Sequence, residues 1–287
     1  VPLLLFWTLS LICSYKAIFE DKKWFWIFGG IAMGLAFNSK YTALLLQFGL
    51  IAFLIFSNKY RKLLGSPWRW FSILISILVM FPVFLWNYQH DFASFTFQSS
   101  ERTSSISEFK ISPTNFFGAI AHQLLLLLPV LFLVIITFTF KYIKKAVLKF
   151  KIPQAKTLFL LAFFIPTFVG FLSITSIYWV KLNWMMPSYI TGIILAGMFI
   201  SQKLVKTQII FSIVFHLLVL VQIIFYVVPI KSDDTWIGWK ELGIETENIQ
   251  EKYPNTFIFS DDYYKTSACL NFFMNQKVYA QNIIGLP

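Results

Sequence analysis

Eight apolar runs follow one another along this chain, at about residues 2–18, 24–37, 41–57, 70–86, 114–140, 157–179, 184–200 and 207–230. A helix needs about 20 apolar residues to cross a hydrocarbon core, with a range of about 17–25. Most of the runs approach that length, and little else separates them. Hydrophobic residues make up 57% of the 287 residues and charged residues 13%, where a soluble domain carries about 25% charge. Composition therefore excludes an ordinary water-soluble globule and a disordered chain. It predicts a mainly α polytopic membrane bundle of about eight spans. The opening stretch, VPLLLFWTLSLICSY, lacks the basic leader and small-residue cleavage site of a signal peptide. It reads as a membrane helix already under way, and the expectation is a piece of a longer protein.

Charge distribution tests the count. As a single helix, residues 24–57 would extend about 51 Å at 1.5 Å per residue, too long for one crossing. Asn38-Ser39-Lys40, preceded by Gly29, Gly30 and Gly34, marks a turn between two crossings. With eight crossings, one side receives Lys16, Lys22, Lys23, Lys59, Arg61, Lys62, Arg69, the six lysines from Lys141 to Lys156, Lys203 and Lys206, against Glu20 and Asp21. The other side receives the remaining nine basic residues and eleven acids. The positive side reads as cytoplasmic, and the net charge of +11 is then a topology signal rather than a nucleic-acid site. Four segments fall on the opposite, extracytoplasmic side: residues 38–40, 87–112, 180–183 and 231–287.

The expected domains are 1–230, the helical membrane domain, and 231–287, a small extracytoplasmic α/β cap. Within the cap the pattern predicts a helix over about 236–252, a strand at Thr256–Ser260, a helix over about 263–275 and a strand at Lys277–Tyr279. The last strand has no visible partner in the sequence.

No nucleotide-binding or zinc motif is present, and no ligand cluster for a metal is visible. No cofactor is evident, and a divalent metal is left open. His90, His122 and His216 are far apart, and the last two lie within apolar runs as candidate helix-packing partners. The segment from Pro82 is denser in polar groups: Trp86-Asn87-Tyr88-Gln89-His90-Asp91, then Phe92, Phe95, Phe97, Glu101 and Arg102. It is either an interfacial aromatic belt or a binding loop with Arg102 as a bidentate anion clamp. Lys40 and Lys181 either snorkel to headgroups or meet a phosphate near the surface. Asp262 either caps the helix that follows it or joins Tyr264 in a site.

The segment GLAFNSKYTA, from Gly34 to Ala43, resembles a motif of bacterial family-39-type glycosyltransferases, relatives of the protein mannosyltransferases and of the aminoarabinose transferase that modifies lipid A. Pro82 to Phe95, Lys181-Leu-Asn183-Trp184 with Pro187 and Tyr189, Gly238-Trp239-Lys240-Glu241-Leu242, and Phe257 to Tyr264 resemble further landmarks of the same group, in the same order. The resemblance implies a GT-C fold in the bacterial inner membrane. It implies transfer of a sugar from a polyprenyl-phosphate carrier to a lipid, glycan or protein acceptor on the outer face. It places the general base, an Asp, upstream of Val1, so residues 1–287 alone are expected to be inactive. Lys40, Arg102 and Lys181 are then expected at the carrier phosphate. His90, Asp91, Asn183, Trp184, Asp262 and Tyr264 are expected around the sugar or acceptor. The competing readings are a flippase for lipid-linked sugars, which should show inverted repeats or paired broken helices, and a polysaccharide polymerase or ligase.

Overall fold

The computed structural model describes residues 2–97, 99, 111–178, 180–229, 236–261 and 265–280, and of Leu182 the backbone alone. It divides into two units, Val1–Phe215 and His216–Pro287. Among the described residues there are eleven helices and two short strands. The helices are α1 (Pro2–Phe19), α2 (Trp24–Ser39), α3 (Leu44–Phe56), α4 (Pro67–Gln89), the one-turn α5 (Ala93–Thr96), α6 (Pro113–Lys149), α7 (Ala155–Ile174), α8 (Met186–Gly197), α9 (Gln202–Phe225), α10 (Trp239–Lys252) and α11 (Lys265–Phe273). Five of them (α1, α4, α6, α7 and α9) are long and apolar enough to cross a membrane, and α2, α8 and the segment Tyr41–Phe56 are shorter apolar helices. The protein is a multi-pass membrane protein built as a mainly α bundle.

The expected break at residue 40 is present. Lys40 is extended (φ −167°, ψ 133°), and a 3-10 turn over Tyr41–Ala43 leads into α3. Glycines set the spacing of the first helices. A Cβ at Gly30 would sit 2.4 Å from the Ser72 carbonyl oxygen, and one at Gly34 would sit 2.6 Å from Val79 Cβ. The four-residue spacing therefore lets α2 lie backbone to backbone on α4, as small residues do between membrane helices. Gly49 does the same for α3 against Phe163 of α7, where a Cβ would approach to 2.6 Å. Trp7, Leu46, Phe53, Leu54 and Phe163 fill the core between these helices. A second cluster, with Phe138, Phe164, Phe168, Met185 and Leu195, joins α6, α7 and α8.

The longest helix departs from the expectation at both of its features. The lysine stretch beginning at Lys141 reads in sequence as a connecting loop, yet α6 stays helical to Lys149. Lysine is a good helix former, and cations suit the negative end of a helix. Phe150 then closes the helix in a left-handed conformation, φ 46°. Midway, Leu128 leaves helical geometry (φ 61°, ψ 159°) just before Pro129; crowding ahead of a proline disfavours the helical ψ, while the positive φ is strained for a leucine. The break is repaired from another helix. The Gln208 side chain of α9 accepts from the Leu131 N–H at 3.1 Å and donates to the Leu127 carbonyl at 2.9 Å. Two groups that would have bonded to each other in an unbroken helix are thus satisfied by one amide, which hydrocarbon requires.

In the unit His216–Pro287, strands β1 (Ile258–Ser260) and β2 (Val278–Ala280) flank α11 and pair in parallel, Phe259 opposite Tyr279. The final strand therefore has a partner, contrary to the sequence expectation. Three-residue strands carry too little alternation to reveal their pairing. Asn271 fixes the return of the chain, donating to the Val278 carbonyl and accepting from the Val278 N–H, at 2.8 and 2.9 Å.

Candidate functional site

Three segments from distant parts of the sequence meet at one end of the first unit. They are the turn after α2, the segment after α4 and the 3-10 turn Leu182–Trp184 before α8. Asn38, at the end of α2, donates to the Val79 carbonyl of α4 at 2.8 Å. Pro82, inside α4, brings no N–H to the Leu78 carbonyl, so Asn38 binds beside a locally weakened stretch. Three residues on, the Tyr41 hydroxyl is hydrogen-bonded to the Ser94 hydroxyl on α5. The Tyr41 ring lies 5.4 Å from Phe95, which contacts Phe84, and Phe84 stacks on Phe37 at 5.9 Å. Aromatic pairs of this kind add about 0.5–1.5 kcal/mol each beyond area burial.

Asn87 organises the segment after α4. Its side chain is fully buried. It donates to the Val83 carbonyl at 2.9 Å and accepts from the Phe95 N–H at 3.2 Å, while its own carbonyl accepts from the Phe92 N–H at 2.7 Å. One residue thus closes a hook in which Asp91 and Phe92 both take positive φ, 49° and 55°. Neither is glycine, so the conformation costs energy that the Asn87 bonds offset. His90 stacks on Trp86, rings 4.2 Å apart and 13° from parallel, and its Nδ1 is 2.8 Å from the Trp86 carbonyl. A carbonyl can only accept, so Nδ1 carries the proton and Nε2 of the neutral ring is the acceptor.

Asn38, Tyr41, Pro82, Val83, Trp86, Asn87 and Ser94 line a cavity of about 390 Å³. Lys40 sits at the same turn, half-buried, with Nζ 5.5 Å from the centre of the Trp184 ring. That cation–π contact ties residue 40 to residue 184. Phe171, at 5.5 Å, and Tyr178, at 6.4 Å, also pack on the indole. The Lys181 carbonyl accepts from the Trp184 N–H at 3.0 Å, and the side chains of Lys181 and Asn183 are exposed. Ser112, which caps α6, donates its N–H to the Ser176 carbonyl at 2.7 Å, bringing α6 and α7 to this end as well.

The structure therefore brings Lys40, Trp184 and the His90 segment to one end, with Lys181 and Asn183 beside Trp184. Asp91 is exposed in the hook. Arg102, Asp262 and Tyr264 lie outside the described residues. Asn38, Tyr41, Trp86, Asn87 and Ser94 fall within motifs visible in the sequence, but no role for them follows from the sequence alone. Their signal is a polar side chain within a turn of an apolar run's end, which a headgroup-facing residue shares.

Residues 1–86 match the family described as dolichyl-phosphate-mannose-protein mannosyltransferase. Over that segment the chain is similar to GT-C mannosyltransferases. No curated protein and no solved structure matches the chain. The matched segment holds α1 to α3 and nearly all of α4, and with them Lys40, Tyr41 and the cavity wall as far as Trp86. The mannosyltransferase-like part thus carries one side of the site, while His90, Lys181 and Trp184 come from beyond it.

Proposed function

We propose that this protein is a membrane glycosyltransferase that takes a sugar from a polyprenyl-phosphate carrier and passes it to a lipid, glycan or protein acceptor on the extracytoplasmic face. The class, a membrane glycosyltransferase, is the one the family match and the apolar helices support in general terms. The carrying observation for the finer reading is Lys40, half-buried at a helix break and seated on Trp184 beside a lined cavity. When the glycosidic bond to the carrier breaks, negative charge grows on the departing phosphate. A cation held in a low-dielectric setting stabilises that charge far more than a solvated one. Lys40 takes this role, with Lys181 and Arg102 as further cations. Trp184 and Trp86 offer faces for a sugar ring. His90 Nε2, Asn183 and Asp91 supply polar groups. The acceptor's general base is assigned outside these residues.

The test is sugar transfer from labelled polyprenyl-phosphate sugar by the full-length protein in proteoliposomes. Lys40→Ala should lower turnover by about 10²–10³-fold, the range for losing one charge-stabilising donor, with unchanged expression and elution profile. Unchanged turnover removes Lys40 from the site. Labelled lipid that crosses the bilayer without transfer overturns the transferase reading in favour of a flippase.

A further inference from the structure

The opposite end of the same unit holds a second cavity, of about 460 Å³, within the range of small-ligand sites. It lies between the last turn of α3, the final third of α6, residues 150–153 and the first half of α7. Phe56, Tyr142, Ala146, Phe150, Leu158 and Ile165 are among its walls, and Lys151 is its charged group. Large apolar groups at its edge, Phe56, Val147 and Phe150, are exposed. The α3 helix separates this cavity from the Lys40 turn by about 18 Å of rise.

Positive charge is dense in the stretch that forms one wall of this apolar space, with Lys151 in the wall itself, Lys141 over the Phe199 ring and Lys156 over the Tyr15 ring. Lys141, Lys144, Lys145, Lys149, Lys151 and Lys156 fall within sixteen residues with no acid between them, and all six are exposed. Lys141, Lys145 and Lys149 recur every four residues and so share one stripe of α6. The stripe adjoins the face formed by Tyr142, Ala146 and Phe150. The acids of this end, Glu20 and Asp21, sit between α1 and α2. Glu20 is taken by Lys22 at 2.7 Å, and that hydrogen bond lowers its pKa. The six lysines therefore present a field that protein carboxylates nearby in sequence do not neutralise.

We propose that this cavity binds one acyl chain of an anionic phospholipid, with the headgroup phosphate on Lys145, Lys149 and Lys151. The occupant follows from the pairing of features. An apolar slot open at a helix end takes a hydrocarbon chain, and the exposed Lys145, Lys149 and Lys151 at the same end take a phosphate. Basic pockets between membrane helices bind anionic headgroups through this combination. A zwitterionic lipid would fill the slot but gain little from the lysines. The site is independent of the donor site, since it uses none of its residues and lies at the other end of the helices.

The experiment measures lipid retained by the purified full-length protein after delipidation and incubation with nanodiscs of either phosphatidylglycerol or phosphatidylethanolamine. Native mass spectrometry counts the bound lipid, and circular dichroism confirms helix content. Phosphatidylglycerol should be retained over phosphatidylethanolamine. The triple variant Lys145→Gln, Lys149→Gln, Lys151→Gln should bind phosphatidylglycerol about a hundredfold more weakly, given the contribution of each basic residue near an anionic surface. Ala146→Phe, which fills the slot and leaves the lysines, should also lose it. Equal retention of the two lipids, or undiminished retention in either variant, overturns the proposal. So does a wild-type protein that retains no lipid because a neighbouring helix occupies the groove.

Discussion

The two ends of the first unit use lysine in opposite ways. At one end a single half-buried lysine, Lys40, is placed by a helix break and an indole ring, within a network in which Asn38, Tyr41 and Asn87 each hold a particular partner. At the other, six exposed lysines lie along one stretch beside an apolar slot, Lys141 and Lys156 resting on the Phe199 and Tyr15 rings and Lys151 in the slot's wall. The first end works by geometry and is sensitive to each member. The second works by summed field, each lysine near the headgroup contributing a small share. Catalysis needs charge at one atom, whereas holding a lipid needs only charge at one depth, so the contrast follows the task proposed for each end.

The largest effect should come from the seam that positions the first end. Gly34→Leu drives a side chain into Val79 Cβ, 2.6 Å from a Cβ at position 34, and into the Ser76 carbonyl oxygen, 2.9 Å away. Overpacking of this kind costs about 1–3 kcal/mol and at times more. The variant should show a lower midpoint in a detergent thermal melt and a misplaced Lys40, hence lost transfer. An equally bulky change at the second end, Ala146→Phe, should leave the melt within error, because residue 146 is exposed. If both variants melt alike, the distinction between the ends fails.

Asn87→Ala comes next. It orphans the half-buried Phe95 N–H and opens the hook, at a cost of about 1–3 kcal/mol. The thermal midpoint should fall, and protease sensitivity should rise near residues 91–96. Tyr41→Phe removes one hydroxyl bond to Ser94 and keeps the ring, for about 0.5–1.5 kcal/mol. Its melt should shift by less than that of Asn87→Ala. The smallest effect belongs to Lys144→Gln, an exposed member of the six. Stability should stay within about 0.5 kcal/mol of wild type, and phosphatidylglycerol retention should fall by no more than about fivefold. A single lysine whose loss abolished retention would show a placed ligand group, erasing the contrast.

Residue type alone makes much of the bundle legible. The apolar runs mark the helices, and the polar interruption at Asn38-Ser39-Lys40 marks the break after α2, because charge and hydropathy belong to the side chains themselves. Lys40 stands out for the same reason. The Asn87 hook does not, since nothing in the residue types distinguishes an asparagine buried at a helix end from one facing headgroups. Its left-handed turn falls on Asp91 and Phe92 without a glycine to announce it. The helical course of the lysine stretch is hidden because hydropathy stops where the charges begin, while backbone hydrogen bonding does not. The partnership of Lys40 with Trp184 spans more than a hundred residues and follows from packing alone.

The amide of Gln208 has a mechanical consequence. The α6 helix runs for 37 residues with no backbone bond between Leu127 and Leu131; the bridge there belongs to α9. Its stiffness is borrowed. While α9 stays docked at that depth, the two halves of α6 act as one rod. Removing the Gln208 amide would leave both backbone groups without that partner at once. The continuity of a 37-residue helix is thus made to depend on a side chain 77 positions away in sequence.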